Sequence, residues 1–103
     1  MSEYTEKLNA ILQELQFIKQ QIAAVRNQIT ELESTKNALS NQSESHSVYR
    51  QVGTLLLEVS DRNSLLEEIG KTKETLETHN SRLEAKENEL QSDYEEILKQ
   101  INQ

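Results

Sequence analysis

The spacing of apolar residues in the first half of the chain restricts its fold more than any other feature. From Tyr4 onward these residues recur at steps that alternate between four and three, which places them at the a and d positions of a heptad repeat. The pattern predicts a long coiled-coil helix over residues 3–40, with Lys36 as its one polar a residue. The apolar stripe comprises Tyr4, Leu8, Ile11, Leu15, Ile18, Ile22, Val25, Ile29, Leu32 and Leu39.

A second stripe with the same spacing predicts another long helix, over residues 64–102. Ser64, with Glu67 three residues later, is typical of a capping box and marks the expected start of this helix. The three middle a positions are polar, and the sequence leaves open whether they fix the register of the pair or keep it flexible. The polar residues are Lys73, Asn80 and Glu87, and the apolar members are Leu66, Ile69, Leu76, Leu83, Leu90, Tyr94, Ile97 and Ile101.

The two stripes fit each other in a single antiparallel register. If Leu8 faces Ile97, every a position of one helix meets a d position of the other, as far as Leu39, which faces Leu66. One register that satisfies the whole seam favours pairing within the chain. The sequence therefore predicts a mostly α fold, an antiparallel two-helix coiled-coil hairpin.

The composition agrees with a rod and restricts the possible partners. Only 34% of the residues are hydrophobic and there is no proline, which favours a narrow apolar seam over a compact globule. The net charge of -7, without a Lys/Arg cluster, argues against nucleic acid and anionic membrane surfaces as partners. The chain has no cysteine, no apolar run of membrane-spanning length and no signal-peptide pattern. We expect a cytoplasmic protein.

No pattern in the chain indicates an enzyme, a metal site or a cofactor. His46 and His79 lie far apart and lack the spacing of a metal-binding or catalytic motif. Neither of the two glycines belongs to a phosphate-binding loop. The many Glu residues are typical of a solvated helix face. We expect no enzymatic activity.

The run SVYRQVGTLLLEVS, from Ser47 to Ser60, differs from the rest of the chain. It concentrates strand-forming residues around Gly53 and Thr54, and it follows a polar connector over residues 41–47. The run predicts a β-hairpin over residues 48–59. An isolated two-stranded hairpin is marginal in water and has unpaired edges, so we expect several copies or relatives to assemble through these strands.

Three apolar residues outside the seam lie toward the end of the coiled coil opposite the β-hairpin. Leu12 and Leu98 occupy e positions and Phe17 a c position, and a two-helix hairpin provides no partner for them. They widen the stripe into a patch of the kind that marks interaction surfaces. The alternative is that they pack along the helix or against a neighbouring chain.

The order of helix, β-hairpin and helix resembles the beta-class subunit of prefoldin over nearly the whole chain. The most specific part, VYRQVGTLLLEV from Val48 to Val59, looks like the strand–Gly–strand segment of this family, and ETLE at residues 74–77 supports it. One β-hairpin in a short chain is similar to the beta class, since the alpha class carries two. The stretch DRNS, residues 61–64, departs from the more Lys/Glu-rich helix start of the family.

This resemblance implies a single domain over residues 1–103 within a hexamer of two alpha-type and four beta-type subunits. The β-hairpins would join an oligomeric β-barrel, and the coiled coils would capture unfolded or nascent proteins at their tips, without ATP, for a group II chaperonin. The assembly residues would be Val48, Tyr49, Val52, Gly53, Leu55, Leu56, Leu57 and Val59. The client-binding tip would comprise Tyr4, Leu8, Ile11, Leu12, Tyr94, Ile97, Leu98 and Ile101.

Two other functions are compatible with the same patterns. A structural or adaptor coiled coil would pair its helices with those of a different protein, and its oligomers would survive deletion of residues 48–59. A small regulatory binder would recognise one folded partner at the tip and would not protect unrelated unfolded proteins.

Overall fold

The computed structural model describes residues 2–103, an elongated rod that measures 70 × 24 × 15 Å. Its elements are helix α1 (Glu3–Asn41), strand β1 (Tyr49–Val52), strand β2 (Leu55–Glu58) and helix α2 (Arg62–Ile101). The helices pack against each other along the rod, and the antiparallel strands lie at the end where the chain turns from one helix to the other. The predicted antiparallel helix pair with an intervening β-hairpin is confirmed. Met1, the first residue of the predicted domain, lies outside the described residues.

The start of α2 differs from the prediction, because the predicted capping box at Ser64 and Glu67 is wrong. The N-cap is Asp61, whose carboxylate accepts the Ser64 backbone N–H at 3.1 Å and the Ser64 hydroxyl at 2.9 Å. Asp and Ser are about equally good N-cap residues. Asp61 comes before Ser64 in the chain, and in this structure it is Asp61 that caps the helix. The helix therefore begins at Arg62, two residues before the predicted start. The other predicted helix ends differ from the structure by one residue at most.

The apolar core is a seam between the two helices. Every buried residue of the described chain belongs to one of the two predicted stripes, and none of them lies on the outer faces. Leu15 and Leu90, a predicted facing pair, belong to one buried cluster that Leu83 also contacts. Full burial of one such aliphatic side chain stabilises a fold by about 1.5–3 kcal/mol. The buried residues are Leu15, Ile18, Ile22, Val25, Leu39, Ile69 and Leu90.

The β-hairpin turns at Gly53 and Thr54, between the facing residues Val52 and Leu55. Gly53 has a φ of 62°, whereas no other residue of the described chain has a positive φ. A positive φ at the first turn residue alone is typical of a type II′ turn, which matches the twist of paired strands and requires glycine there. The ladder extends one step beyond the strands, since the Val59 N–H donates to the Val48 carbonyl at 2.8 Å.

Candidate functional site

The large exposed apolar side chains occupy two separate parts of the rod. One group lies on the β-hairpin and the other on the half of the coiled coil that points away from it. The described chain exposes no large apolar side chain between Phe17 and Tyr49, or between Leu57 and Ile101. The middle of the rod therefore separates the two groups. The exposed residues are Tyr49, Val52, Leu55, Leu56 and Leu57 on the hairpin, and Tyr4, Leu12, Phe17 and Ile101 on the helices.

The β-hairpin is exposed along both strands. All four residues of β1 and all four of β2 are solvent-accessible, and the exposed fraction reaches 69% at Leu56. The register places Val52 opposite Leu55 and Arg50 opposite Leu57 on one face. Because the sheet has only two strands, the outer edge of each retains backbone N–H and C=O groups without a strand partner. The predicted assembly residues therefore lie on one small element, with Val48 and Val59 half-buried at its base.

Two arginines connect this element to the coiled coil. Arg50 of β1 forms an ion pair with Glu68 of α2 at 3.3 Å. Arg62, the first residue of α2, donates to three backbone carbonyls of the connector: Gln42 at 2.8 Å, Ser43 at 3.2 Å and His46 at 3.0 Å. Sequence reasoning missed Arg62, because only the fold brings these carbonyls to it. The only available signal was its place directly after Asp61, a residue type that often caps helices.

The predicted client-binding residues all lie at the end of the rod opposite the β-hairpin, but their exposure differs. Tyr4, Leu12 and Ile101 are exposed, with accessible fractions between 41% and 46%. The other five are half-buried: four of them form the last turns of the seam, and Leu98, at an e position beside it, is partly covered although the sequence predicted no partner for it. These five are Leu8, Ile11, Tyr94, Ile97 and Leu98.

Two shallow grooves run along opposite sides of the seam at this end. In one groove Ile11 and Ile97 form the floor, and Asp93 and Glu96 are among the polar residues beside them. The other groove includes Leu12 and Tyr94 next to Lys19 and Gln91. Phe17, with 59% of its surface accessible, lies outside both grooves. The structure thus brings the predicted tip residues together around the end of the coiled coil.

The middle of the rod carries the polar seam positions, and two of them join contacts between the helices. Lys73 of α2 reaches Glu33 of α1 at 3.2 Å and lies 4.0 Å from Glu77 of its own helix. Asn80 donates to Glu84 at 3.1 Å, and Glu84 accepts from Arg26 of α1 at 2.8 Å. The Asn80 Oδ1 atom is buried and has no hydrogen-bond partner among residues 2–103.

These cross-helix contacts favour the register role that the sequence left open. A slip of one helix along the other would separate Glu33 from Lys73, whose side chain is only a quarter exposed and would be left beside the apolar seam without its partner. It would also break the pair of Arg26 with Glu84, which is more exposed and therefore contributes less. The unpaired Asn80 oxygen shows that this specificity has a cost, because burial of a polar atom without a partner is unfavourable. Glu87, the third polar a residue, is half-buried and makes no side-chain hydrogen bond or ion pair within residues 2–103.

The titratable groups of the described chain do not form a metal-binding cluster. No group of three or more His, Cys, Asp or Glu side chains within residues 2–103 is placed to hold a metal ion, and His46 and His79 are both exposed. The Ser64 backbone N–H, followed by the Ser64 hydroxyl, lowers the pKa of Asp61 below its ordinary value. Neither helix in this part of the chain is apolar enough over a sufficient length to cross a membrane.

Comparison with known proteins places this architecture in a family. The family model described as prefoldin subunit matches residues 2–103. A prefoldin subunit beta from Thermococcus onnurineus strain NA1 is 30% identical over 95 residues, which cover 92% of this chain and 81% of that protein.

Two solved structures have the same fold. The crystal structure of the prefoldin beta subunit from Thermococcus strain KS-1 matches with a TM-score of 0.87 and 28% identity, over 95% of this chain and 85% of the other. The crystal structure of the prefoldin beta2 subunit from the same strain matches with a TM-score of 0.77 and 18% identity, over 89% of this chain and 97% of the other. At this low identity the match supports only the shared fold. This chain therefore belongs to the prefoldin subunit family, whose members are non-enzymatic chaperone subunits, and within that family it is a beta subunit.

Proposed function

We propose that the chain is a beta-type subunit of an ATP-independent hexameric holdase that captures unfolded or nascent proteins and delivers them to a group II chaperonin. The observation that carries the proposal is the separation of its exposed apolar side chains into a β-hairpin and a coiled-coil tip, joined by a polar rod. Membership of the prefoldin family supports it, since the family implies assembly with other prefoldin subunits. The same proposal places the protein in the cytoplasm.

In this proposal the β-hairpin provides assembly. Its strands join those of two alpha-type subunits and further beta-type copies in a β-barrel. The residues are those predicted from the sequence: Val48, Tyr49, Val52, Gly53, Leu55, Leu56, Leu57 and Val59. Their exposure in the single chain supports this role, because five leucine, valine and tyrosine side chains on so small an element gain much from burial against neighbours.

The tip provides client binding. Each tip offers a modest apolar surface with two parts. One part is the exposed side chains of Tyr4, Leu12 and Ile101, and the other is the pair of shallow grooves. A single surface of this kind binds weakly, but several tips held by one barrel act together, and linked weak sites reach a much higher overall affinity. Each contact stays reversible, which suits a holdase that must release its client without ATP.

Native mass spectrometry of the chain, alone and mixed with an alpha-type prefoldin subunit, tests the assembly half. We expect a heterohexamer that contains four copies of this chain. A stable homodimer that does not bind any alpha-type chain would contradict the proposal and favour a structural or adaptor coiled coil.

Light scattering by a chemically unfolded client protein tests the holdase half. We expect the heterohexamer to suppress aggregation of several unrelated clients in the absence of nucleotide. Protection of one client only, with saturable binding to its folded form, would favour a regulatory binder instead.

A further inference from the structure

The junction between the coiled coil and the β-hairpin contains an arrangement that neither the seam nor the strands explain. Helix α1 ends at Asn41, and seven residues without regular structure precede β1, whereas only three residues separate β2 from α2. The first link is therefore the longer and less restrained connection. A flexible link on this side would let the β-hairpin take many orientations relative to the rod.

Arg62 restrains that longer link from the opposite helix. One guanidinium nitrogen, Nη1, donates to the carbonyl of Gln42, which is the C-cap of α1. The other, Nη2, donates to the carbonyls of Ser43 and His46, at the two ends of a turn that the His46 N–H closes by donating to Ser43 at 3.0 Å. One side chain thus holds both the end of α1 and the turn that leads to β1.

The charge of Arg62 also suits this position. The last turn of α1 contains no basic residue, so the partial negative charge at its carboxyl end has no cation from its own helix. The guanidinium supplies one from α2. Its planar fork can reach several acceptors at once, which a lysine ammonium cannot reproduce with the same geometry.

Other contacts hold the β-hairpin only loosely. The ion pair between Arg50 and Glu68 is about half exposed on both sides, and exposed pairs of this kind contribute little. An open groove also lies between the β-hairpin and the coiled coil, so the two are not closely packed there. It is bordered by Val48 and Tyr49 on the hairpin side and by Leu39 and Ile69 on the helices.

We propose that Arg62 is a positioning residue for subunit assembly: its hydrogen bonds to the connector fix the orientation of the β-hairpin relative to the coiled coil. A pre-oriented hairpin loses less conformational freedom when it enters an oligomer, so assembly is tighter. This inference rests on the proposed assembly through the strands, but the orientation itself is a property of the single chain.

The test uses the full chain with Arg62→Met and, as matched control, Arg82→Met. Arg82 is an exposed arginine of the same helix that makes no ion pair or side-chain hydrogen bond within residues 2–103. Because the chain has no native cysteine, spin labels at Thr54→Cys and Lys36→Cys report the hairpin–coil distance in each background. Circular dichroism measures helix content, and native mass spectrometry with an alpha-type subunit measures assembly.

We expect a narrow distance distribution in the parent chain and in Arg82→Met, and a broad one in Arg62→Met with unchanged helix content. The subunit concentration needed for half-assembly should rise about tenfold in Arg62→Met alone. Arg62→Lys should recover only part of both effects.

A narrow distribution in Arg62→Met would overturn the inference, and so would a broad distribution with undiminished assembly. If the parent chain does not assemble at all, the proposed function fails, and the distance distributions alone decide whether Arg62 positions the hairpin.

Discussion

The two ends of the rod expose similar apolar side chains on different backbones. At the hairpin end, both strands present backbone N–H and C=O groups along an unpaired edge, beside Leu55, Leu56 and Leu57. At the tip, the body of each helix satisfies its own backbone groups, and only the first N–H groups of α1 and the last C=O groups of α2 lack a partner within their helix. Leu12 therefore offers side-chain contact only.

This difference determines what each end can bind. A strand edge binds another strand with a fixed direction and register, and each new backbone hydrogen bond adds roughly 0.5–1.5 kcal/mol to the apolar burial. A helical tip has no continuous row of such groups, so its apolar side chains can contact segments of many sequences. The comparison therefore favours the proposed roles, in which the β-hairpin forms specific, lasting contacts and the tip forms nonspecific, reversible ones.

The largest effect is expected from the double change Leu55→Ser and Leu57→Ser in β2. Each leucine contributes about 1.5–3 kcal/mol when fully buried, so its loss should weaken assembly at least tenfold and the pair should abolish the hexamer. Native mass spectrometry measures the species present. The matched control is Gln51→Ser, an exposed polar position on β1, and a hexamer that survives the leucine changes would show that the strands do not assemble the complex.

The second prediction concerns the tip and uses Leu12→Ser with Ile101→Ser. Both side chains are exposed, so the seam should remain intact and the hexamer mass should not change. Suppression of client aggregation should fall several-fold, because each weak contact is multiplied over the tips that bind together. Gln13→Ser with Glu95→Ser, at exposed positions outside both grooves, is the control for helix propensity. Undiminished protection would remove these two residues from the client-binding surface.

The third prediction concerns the polar middle of the rod, where we expect Asn80→Leu to have a smaller effect, on the free energy of unfolding and on the register of the helices. This change removes an unpaired buried oxygen and adds apolar area opposite Val25, so the free energy of unfolding should rise by about 1–2 kcal/mol. The register should become less uniquely defined, since Asn80 no longer holds Glu84 toward Arg26. Urea unfolding measures the first effect and cross-linking between helices the second.

Asn88→Leu, at an exposed position of the same helix, provides the control and should not stabilise the protein. A loss of stability in Asn80→Leu would mean that the link from Asn80 to Glu84 outweighs the cost of burying the amide.

The smallest effect is a pH dependence at Asp61, at the hairpin end of α2. Its pKa is lowered in the folded chain, mainly by the Ser64 backbone N–H, so its contribution is complete above the ordinary carboxyl pKa and is lost as the pH falls through the folded value. Asp61→Ala should lower Tm by a few degrees at neutral pH and by less at acidic pH.

Asp61→Asn is the matched control, because asparagine also caps helices but does not titrate in this range. Its Tm difference from Asp61→Ala should stay constant over the acidic range in which the wild-type difference shrinks. A wild-type difference that does not change with pH would show that the carboxylate charge is unimportant for the cap.

Much of the architecture follows from the sequence, because it depends on local spacing. The alternating steps of four and three determine two helical stripes, and the match between Leu15 and Leu90 follows from joining them in one register. The turn at Gly53 follows from the flexibility of glycine between two runs of strand-forming residues. The start of α2 was predicted two residues too late, because Asp61 and Ser64 are both good N-cap residues and the sequence does not show which of them caps the helix.

Only the tertiary structure determined which residues far apart in the chain contact each other. The role of Lys73 depends on Glu33 across the seam, and the division of the tip into exposed and half-buried residues depends on how the last turns pack. Arg62 shows the limit most clearly, because its acceptors are backbone carbonyls, which every residue possesses and no sequence pattern marks. Periodicity records which face of an element is apolar, but not which distant group that face will meet.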